Sequence, residues 1–242
     1  MRSILVALLL FGCLAIQAQD QLYQVKLIRA APGQLLEVIE LLKADMKNHQ
    51  AYGIDKPYLI RHSQGDHWDL MMIYPVNDLA SYFSDEFQKG LEGSNSLGKT
   101  YGDDFYKQIS FQEESIVKGP EKALFNDWFQ QYGYYHIEIF TALAGKQAEL
   151  LKEREMENVY LEEINRRPNF IFTKVTGASW DIFTIGCYTG IKDYASSADI
   201  PVEEEDRAAK VAGFESVYTI GSYLRSLILV HHDTLGGGVT VD

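Results

Sequence analysis

Gly65-Asp66-His67-Trp68-Asp69-Leu70 returns 112 residues later as Gly177-Ala178-Ser179-Trp180-Asp181-Ile182. A glycine, a Trp-Asp pair and an apolar run describe a turn leading into a strand, and the chain contains it twice. At that offset, without a gap, nine of the sixty positions from Tyr23 to Tyr82 are identical to their counterparts. The identities fall on turn glycines (Gly33 and Gly145, Gly65 and Gly177), on strand aromatics (Tyr23 and Tyr135) and on Trp-Asp. Those are positions where a shared backbone demands particular residues. The sequence reads as a duplication.

The flanking segments repeat in the same order. Tyr23, Val25 and Leu27 alternate with Gln24 and Lys26, as a half-buried strand requires. After Pro32-Gly33, Leu35, Ile39, Leu42 and Met46 follow a helical spacing up to Gly53, a C-cap candidate. Tyr58 to His62 is a strand, Gln64 to His67 its turn, Trp68 to Tyr74 the return, and Asp78 caps a helix through Tyr82. In the second half Tyr135, Ile137 and Ile139 open a strand, Ala148 to Asn165 is a helix, and Phe170 to Val175 and Trp180 to Ile185 form the hairpin.

Beyond the third strand of each half, the spacing predicts extra helices. One starts at Asp103-Asp104 and carries Phe105, Ile109 and Ile116 toward Gly119. The other carries Val217, Ile220, Leu224, Leu227, Ile228, His231 and Leu235, is closed by Gly236-Gly237-Gly238, and leaves Val239 to Val241 as a last strand. Leu124 to Trp128 is a strand or short helix, and Ser84 to Thr100 a loop or lid. The expected organisation is a leader over 1–19, a first repeat over 20–133 and a second over 134–242.

The leader has the layout of a secretory signal peptide: Arg2, an apolar run from Ile4 to Ile16, and small residues near a cut at Ala18 or Gln19. The expectation is an exported, soluble protein, periplasmic or extracellular. The alternative is a lipid anchor at Cys13, which the bulky Phe11 disfavours. Cys187 is then the lone cysteine, so packing rather than a disulfide must hold the fold. The chain has 242 residues and a net charge of −12. That balance, with no basic stripe, excludes a nucleic-acid partner. No second apolar run is long enough to span a membrane.

A hairpin Gly-x-x-Trp-Asp-(Leu/Ile), an apolar strand and a helix bearing Tyr resemble the ferredoxin-like dimeric α+β barrel superfamily. Its branches include the stress-responsive barrel, NIPSNAP-like, EthD-like and antibiotic-biosynthesis-monooxygenase-like proteins. The matching residues are Trp68 to Ile73 with Asp78-Leu79 and Tyr82, and Trp180 to Ile185 with Asp193-Tyr194. The resemblance implies an α+β fold in which two tandem ferredoxin-like units close one barrel within the chain, as a monomer with an internal pseudo-two-fold or as a homodimer. It also implies a pocket between sheet and helices. Some members of that superfamily are cofactor-free oxygenases and some hold haem.

Candidate chemistry rests on a few side chains. Trp68 and Trp180 are ligand-stacking walls or hairpin anchors, and their duplication favours anchors. Asp69 and Asp181 are ligand contacts or bases, against the commoner role of satisfying turn amides. His62 and His67 flank one turn and correspond to Lys174 and Ser179, so no shared fold requirement fixes them. His231 and His232 fall on the expected terminal helix. Each is a proton shuttle, a haem ligand or a hydrogen-bonded core histidine. No metal-binding spacing, phosphate loop or nucleophile elbow is present. Lys26 and Glu138, at equivalent strand positions, would pair if both pointed into the barrel.

Three functions stay open. The first is binding of a small aromatic or apolar molecule, with cofactor-independent oxygenase or isomerase chemistry through His62, His67 or His231, Trp68 shaping the pocket. The second is haem binding through His231 or His232. The third is a non-catalytic binding or assembly module.

Overall fold

A computed structural model describes residues 21–49, 55–86, 89 and 102–240. The leader, Cys13, Gly53 and most of the Ser84–Thr100 segment lie outside the described residues. The first half supplies β1 (Gln21–Ala30), α1 (Leu35–His49), β2 (Tyr58–Gln64), β3 (Leu70–Val76), α2 (Leu79–Tyr82), α3 (Asp103–Tyr106) and β4 (Ile109–Gly119). Then α4 (Lys122–Gln131) leads to β5 (Tyr134–Ala142), α5 (Gln147–Glu163), β6 (Phe170–Gly177), β7 (Ile182–Tyr188), α6 (Ile191–Ala195), α7 (Val202–Val211), α8 (Ile220–Arg225) and β8 (Ile228–Gly238).

The eight strands close one antiparallel barrel in the order β1-β3-β2-β8-β5-β7-β6-β4. The duplication is visible in the register. Val25 pairs with Ile73 in the first half and Ile137 with Ile185 in the second; Tyr58 pairs with Ile73 and Phe170 with Ile185. Each hairpin edge is completed by the fourth strand of the other half, β2 on β8 and β6 on β4.

Strand alternation sorts side chains between two compartments. Tyr23, Val25, Leu27, Trp68, Tyr135, Phe172 and Phe183 fill the barrel interior, so it is a packed core rather than a channel. Phe125 of α4 plugs one end, meeting Tyr23, Tyr58, Phe170 and Phe172 edge-to-face. The outer face of the first half packs under α1 through Ile28, Leu59, Leu70 and Met72 against Val38, Leu42 and Met46.

Two sequence expectations change. Ile109 to Gly119 is strand β4, not the continuation of a helix; only Asp103–Tyr106 is helical. Likewise the helix expected to Leu235 ends at Arg225, and His231 and His232 sit on strand β8. Apolar residues three and four apart mimic a helical stripe, but both segments are pinned between two strands, and that pairing outweighs local periodicity. The glycines expected to cap the helix are strand residues. A Cβ at Gly236 would lie 2.8 Å from Ile60 and 2.9 Å from the Arg61 carbonyl.

Lys26 and Glu138 do not meet either. Their neighbours Val25 and Ile137 occupy the interior, so alternation places both charges outside, under different helices. Lys26 lies 3.2 Å from Glu114 instead.

Candidate functional site

The two Trp-Asp hairpins are built alike. Trp68 is fully buried and Trp180 is 4% exposed, both in the barrel interior. The Asp69 carboxylate accepts from the Ala30 amide at 2.8 Å, and Asp181 from the Ala142 amide at 2.9 Å. Each carboxylate does accept from a backbone amide, but the amide belongs to the neighbouring strand rather than to the turn. Each indole N–H donates to a carboxylate: Trp68 to Asp66 at 3.1 Å and Trp180 to Glu113 at 2.9 Å.

Asp66, which the sequence reading passed over, gathers the histidines at this end. Its carboxylate lies 2.6 Å from His67 Nδ1 and 3.4 Å from His232 Nδ1, and its amide donates to Thr234 Oγ1 at 3.3 Å. The His62 ring stands 5.7 Å from Trp68 on the adjacent strand. His62, His67, His232 and Trp68 therefore share one end of the barrel, on the seam between β2 and β8.

His231 does not join them. It points to the outer face of the second half, where a second polar cluster lies under α5. Here His136 and Glu138 from β5 face His231 and Asp233 from β8. His136 Nε2 is 2.9 Å from Asp233 Oδ1, and His231 Nε2 is 3.3 Å from Glu138 Oε1 and 3.6 Å from Asp233 Oδ2. The His231 ring stacks flat on Phe140, centroids 4.7 Å apart. The Arg154 guanidinium covers Phe140 at 4.7 Å. That guanidinium makes two 2.6 Å hydrogen bonds to Glu153 and a 2.5 Å contact to Glu157, and approaches Glu138 to 3.7 Å.

Electrostatics follow from this crowding. The Glu138 carboxylate, outweighing burial, raises the His231 pKa. Burial opposes charge on His136, but its hydrogen bond to the Asp233 carboxylate and the nearby Glu138 prevail and raise it too. Glu138 is buried, yet His231 and Arg154 hold its pKa below the usual carboxylate range. Glu157 goes the other way: burial pushes it up to about 7, against the pull of Arg154.

Concave surface lies on the outer faces. A groove of about 690 Å³ runs between α1 (Leu36, Ile39, Glu40, Lys43) and the β2–β8 seam (Arg61, His62, Ser63, Gly237 to Thr240). A second, of about 550 Å³, lies between α5 (Lys152, Met156) and the segment around Phe214 and Tyr223. A third, also about 550 Å³, includes Asp69 with Arg29, Gly33 and Ser110. Of the sequence candidates, His62 and Asp69 line these grooves; Trp68, Trp180, His67, His231 and His232 line none of the three.

No family model and no curated protein matches the chain by sequence. Solved structures do match it in shape. An anthrone oxidase-like protein superposes with a TM-score of 0.63 at 11% identity, over 92% of this chain and 93% of that one. The fold is that of the dimeric α+β barrel. A chlorite dismutase from Candidatus Nitrospira defluvii, solved with imidazole, superposes with a TM-score of 0.51 at 12% identity over 93% of each chain. Where such barrels arise by dimerisation, this chain supplies all eight strands itself. Among the described residues no helix is long and apolar enough to cross a membrane.

The residues expected to hold haem do not fit that group. An axial histidine needs a free ring nitrogen facing a flat apolar slot. The His231 Nε2 faces Glu138 and Asp233 while its ring lies against Phe140, and neither His231 nor His232 lines any of the three grooves.

Proposed function

We propose that the chain binds a small apolar or aromatic molecule with an acidic end in the groove between α1 and the β2–β8 seam. The observation that carries this reading is Leu36, 69% exposed on a helix yet lining the groove beside Ile39. An apolar wall with a few convergent polar groups, in a volume within the ~300–1,000 Å³ of ligand sites, is what small-molecule recognition uses. The charged groups there are Lys43, Arg61 and Glu40, a net positive patch on a chain of net charge −12. That local reversal of sign favours a ligand carrying a carboxylate or other anion.

Of the three histidines considered for oxygenase or isomerase chemistry, His62 alone borders this groove. Binding is accordingly the core of the proposal; the His62 ring turns toward Trp68 with its Nε2 buried, so Arg61 and Lys43 are the polar contacts. The test is native mass spectrometry of gently purified protein, comparing wild type with Leu36→Asp and Arg61→Glu. A co-purified small molecule lost in both variants supports the groove; its retention in both overturns it. The same reading has the protein exported after cleavage near Ala18, and the N-terminal sequence of the mature protein checks that step.

A further inference from the structure

We propose that His136, Glu138, His231 and Asp233 bind one first-row divalent cation of borderline character, with zinc as the probe. The groove under α1 includes none of these four residues.

Two short motifs carry it, His-x-Glu on β5 and His-x-Asp on β8. On a strand, residues two apart point to the same face. The register pairs Glu138 with Asp233 and Phe140 with His231, so all four side chains emerge on one patch of outer surface. Two imidazoles and two carboxylates are a donor set suited to zinc and its first-row neighbours. His136 and His231 approach the two different oxygens of Asp233, at 2.9 and 3.6 Å, and His231 lies 3.3 Å from Glu138, spacings of the order of the ~3.3 Å between donors around a cation with bonds of ~2.0–2.1 Å. The donor atoms of His136, Glu138 and Asp233 all lie within 4.8 Å of one another; His231 stands outside that set and adds a fourth donor from the side of Glu138 and Asp233.

Hydrogen bonding alone leaves this arrangement incomplete. The Nε2 of His231 is buried and, despite its nearness to two carboxylates, makes no well-directed hydrogen bond. Arg154 is held at close range by Glu153 and Glu157, which leaves the two imidazoles as the nearest groups to Glu138 and Asp233. The rings are held in place by packing: His231 lies flat on Phe140 and His136 leans on Tyr194 at 5.2 Å. Thr184 donates to Glu138 Oε2 at 3.2 Å, an outer contact of the kind that orients a ligating carboxylate.

The first half offers an internal control. The residues that replace His136, Glu138, His231 and Asp233 there are Gln24, Lys26, Gln112 and Glu114, matched by the same strand pairings. In that half the cation is built in: Lys26 Nζ sits 3.2 Å from Glu114, and Gln24 donates to the same carboxylate at 2.9 Å. The second half keeps the acid, exchanges the lysine for Glu138 and the two glutamines for histidines.

The experiment is zinc titration of the purified, chelator-stripped chain by calorimetry, with elemental analysis after dialysis and the cobalt(II) visible spectrum. One zinc per chain and nitrogen-bound cobalt bands are expected. Asp233→Asn and His231→Gln should each abolish both. Thr184→Val should weaken binding by about 10–100-fold, the usual effect of an outer partner. His67→Gln/His232→Gln, at the barrel end, should leave the stoichiometry at one. Circular dichroism checks folding, and Asp233→Asn alters an exposed side chain. Absence of stoichiometric zinc in the wild type, or zinc retained by both Asp233→Asn and His231→Gln, overturns the site. Loss only in His67→Gln/His232→Gln also overturns it.

Discussion

Replacing Arg154 by Met tests how the buried charges under α5 are balanced. The guanidinium is 2% exposed and meets Glu153, which is fully buried, together with Glu157 and Glu138. Met keeps the unbranched apolar stem of the side chain while removing the charge, so three carboxylates lose their shared cation. Removing one partner from a buried pair costs roughly 3–5 kcal/mol. For a domain of this size, ~2–4 °C per kcal/mol converts that to a fall of about 6–20 °C in Tm. Thermal melting followed by circular dichroism at pH 7 reads it directly. Adding Glu153→Gln removes a charge left unmatched and should restore part of the loss, giving a coupling energy for the pair. A drop below about 3 °C, or a double variant no more stable than the single one, would refute electrostatic balance as the reason these groups are buried together.

Three further outcomes are expected. Gly65 and Gly177 have positive φ and press on the backbones of Asp233 and Glu114, whereas Gly33 has open space around it. Gly65→Ala and Gly177→Ala should therefore each cost at least ~2 kcal/mol in urea unfolding and Gly33→Ala distinctly less; equal losses would count against close approach. Burial raises Asp45 from 3.8 to about 7 and lowers His49 from 6.5 to about 4, the two lying 3.7 Å apart. A raised carboxyl loses stability as pH rises from about 4 to 7, and a depressed histidine loses it as pH falls from 6.5 to 4, so their slopes oppose. Asp45→Asn should expose the histidine slope alone, with Tm rising between pH 4 and 6.5 more steeply than in wild type; parallel curves would sink the assignment. Finally, burial pushes the Cys187 thiol up to about 12, so a disulfide reagent should modify it in urea and not in the native chain, as peptide mapping would show.

The duplicated core was legible because its signals are local: alternation in β1 and β5, the stripe on α1, and the glycines that set both hairpins. The fourth strands were not. β4 and β8 owe their conformation to neighbours far away in sequence, while Ile109 with Ile116, and Leu224, Ile228, His231 and Leu235, imitate a helix. That error also hid the polar cluster. On a helix, positions 231 and 233 face apart, whereas on a strand they share a face. Once β8 is a strand, His-x-Asp reads as the partner of His-x-Glu on β5. Asp66 escaped notice for another reason: it occupies a position that is Ala178 in the other hairpin, and its value lies in reaching across the seam to β8.

Closure of the barrel within one polypeptide has a consequence for how such a protein can change. In a barrel assembled from two identical chains, every substitution appears twice, so a lysine needed on one side cannot become a glutamate on the other. Fusion removes that constraint. Position 26 and position 138 are separate codons, free to follow different histories while the register of the sheet stays common to both. The first half holds an ion pair between Lys26 and Glu114 where the second holds two histidines and two carboxylates.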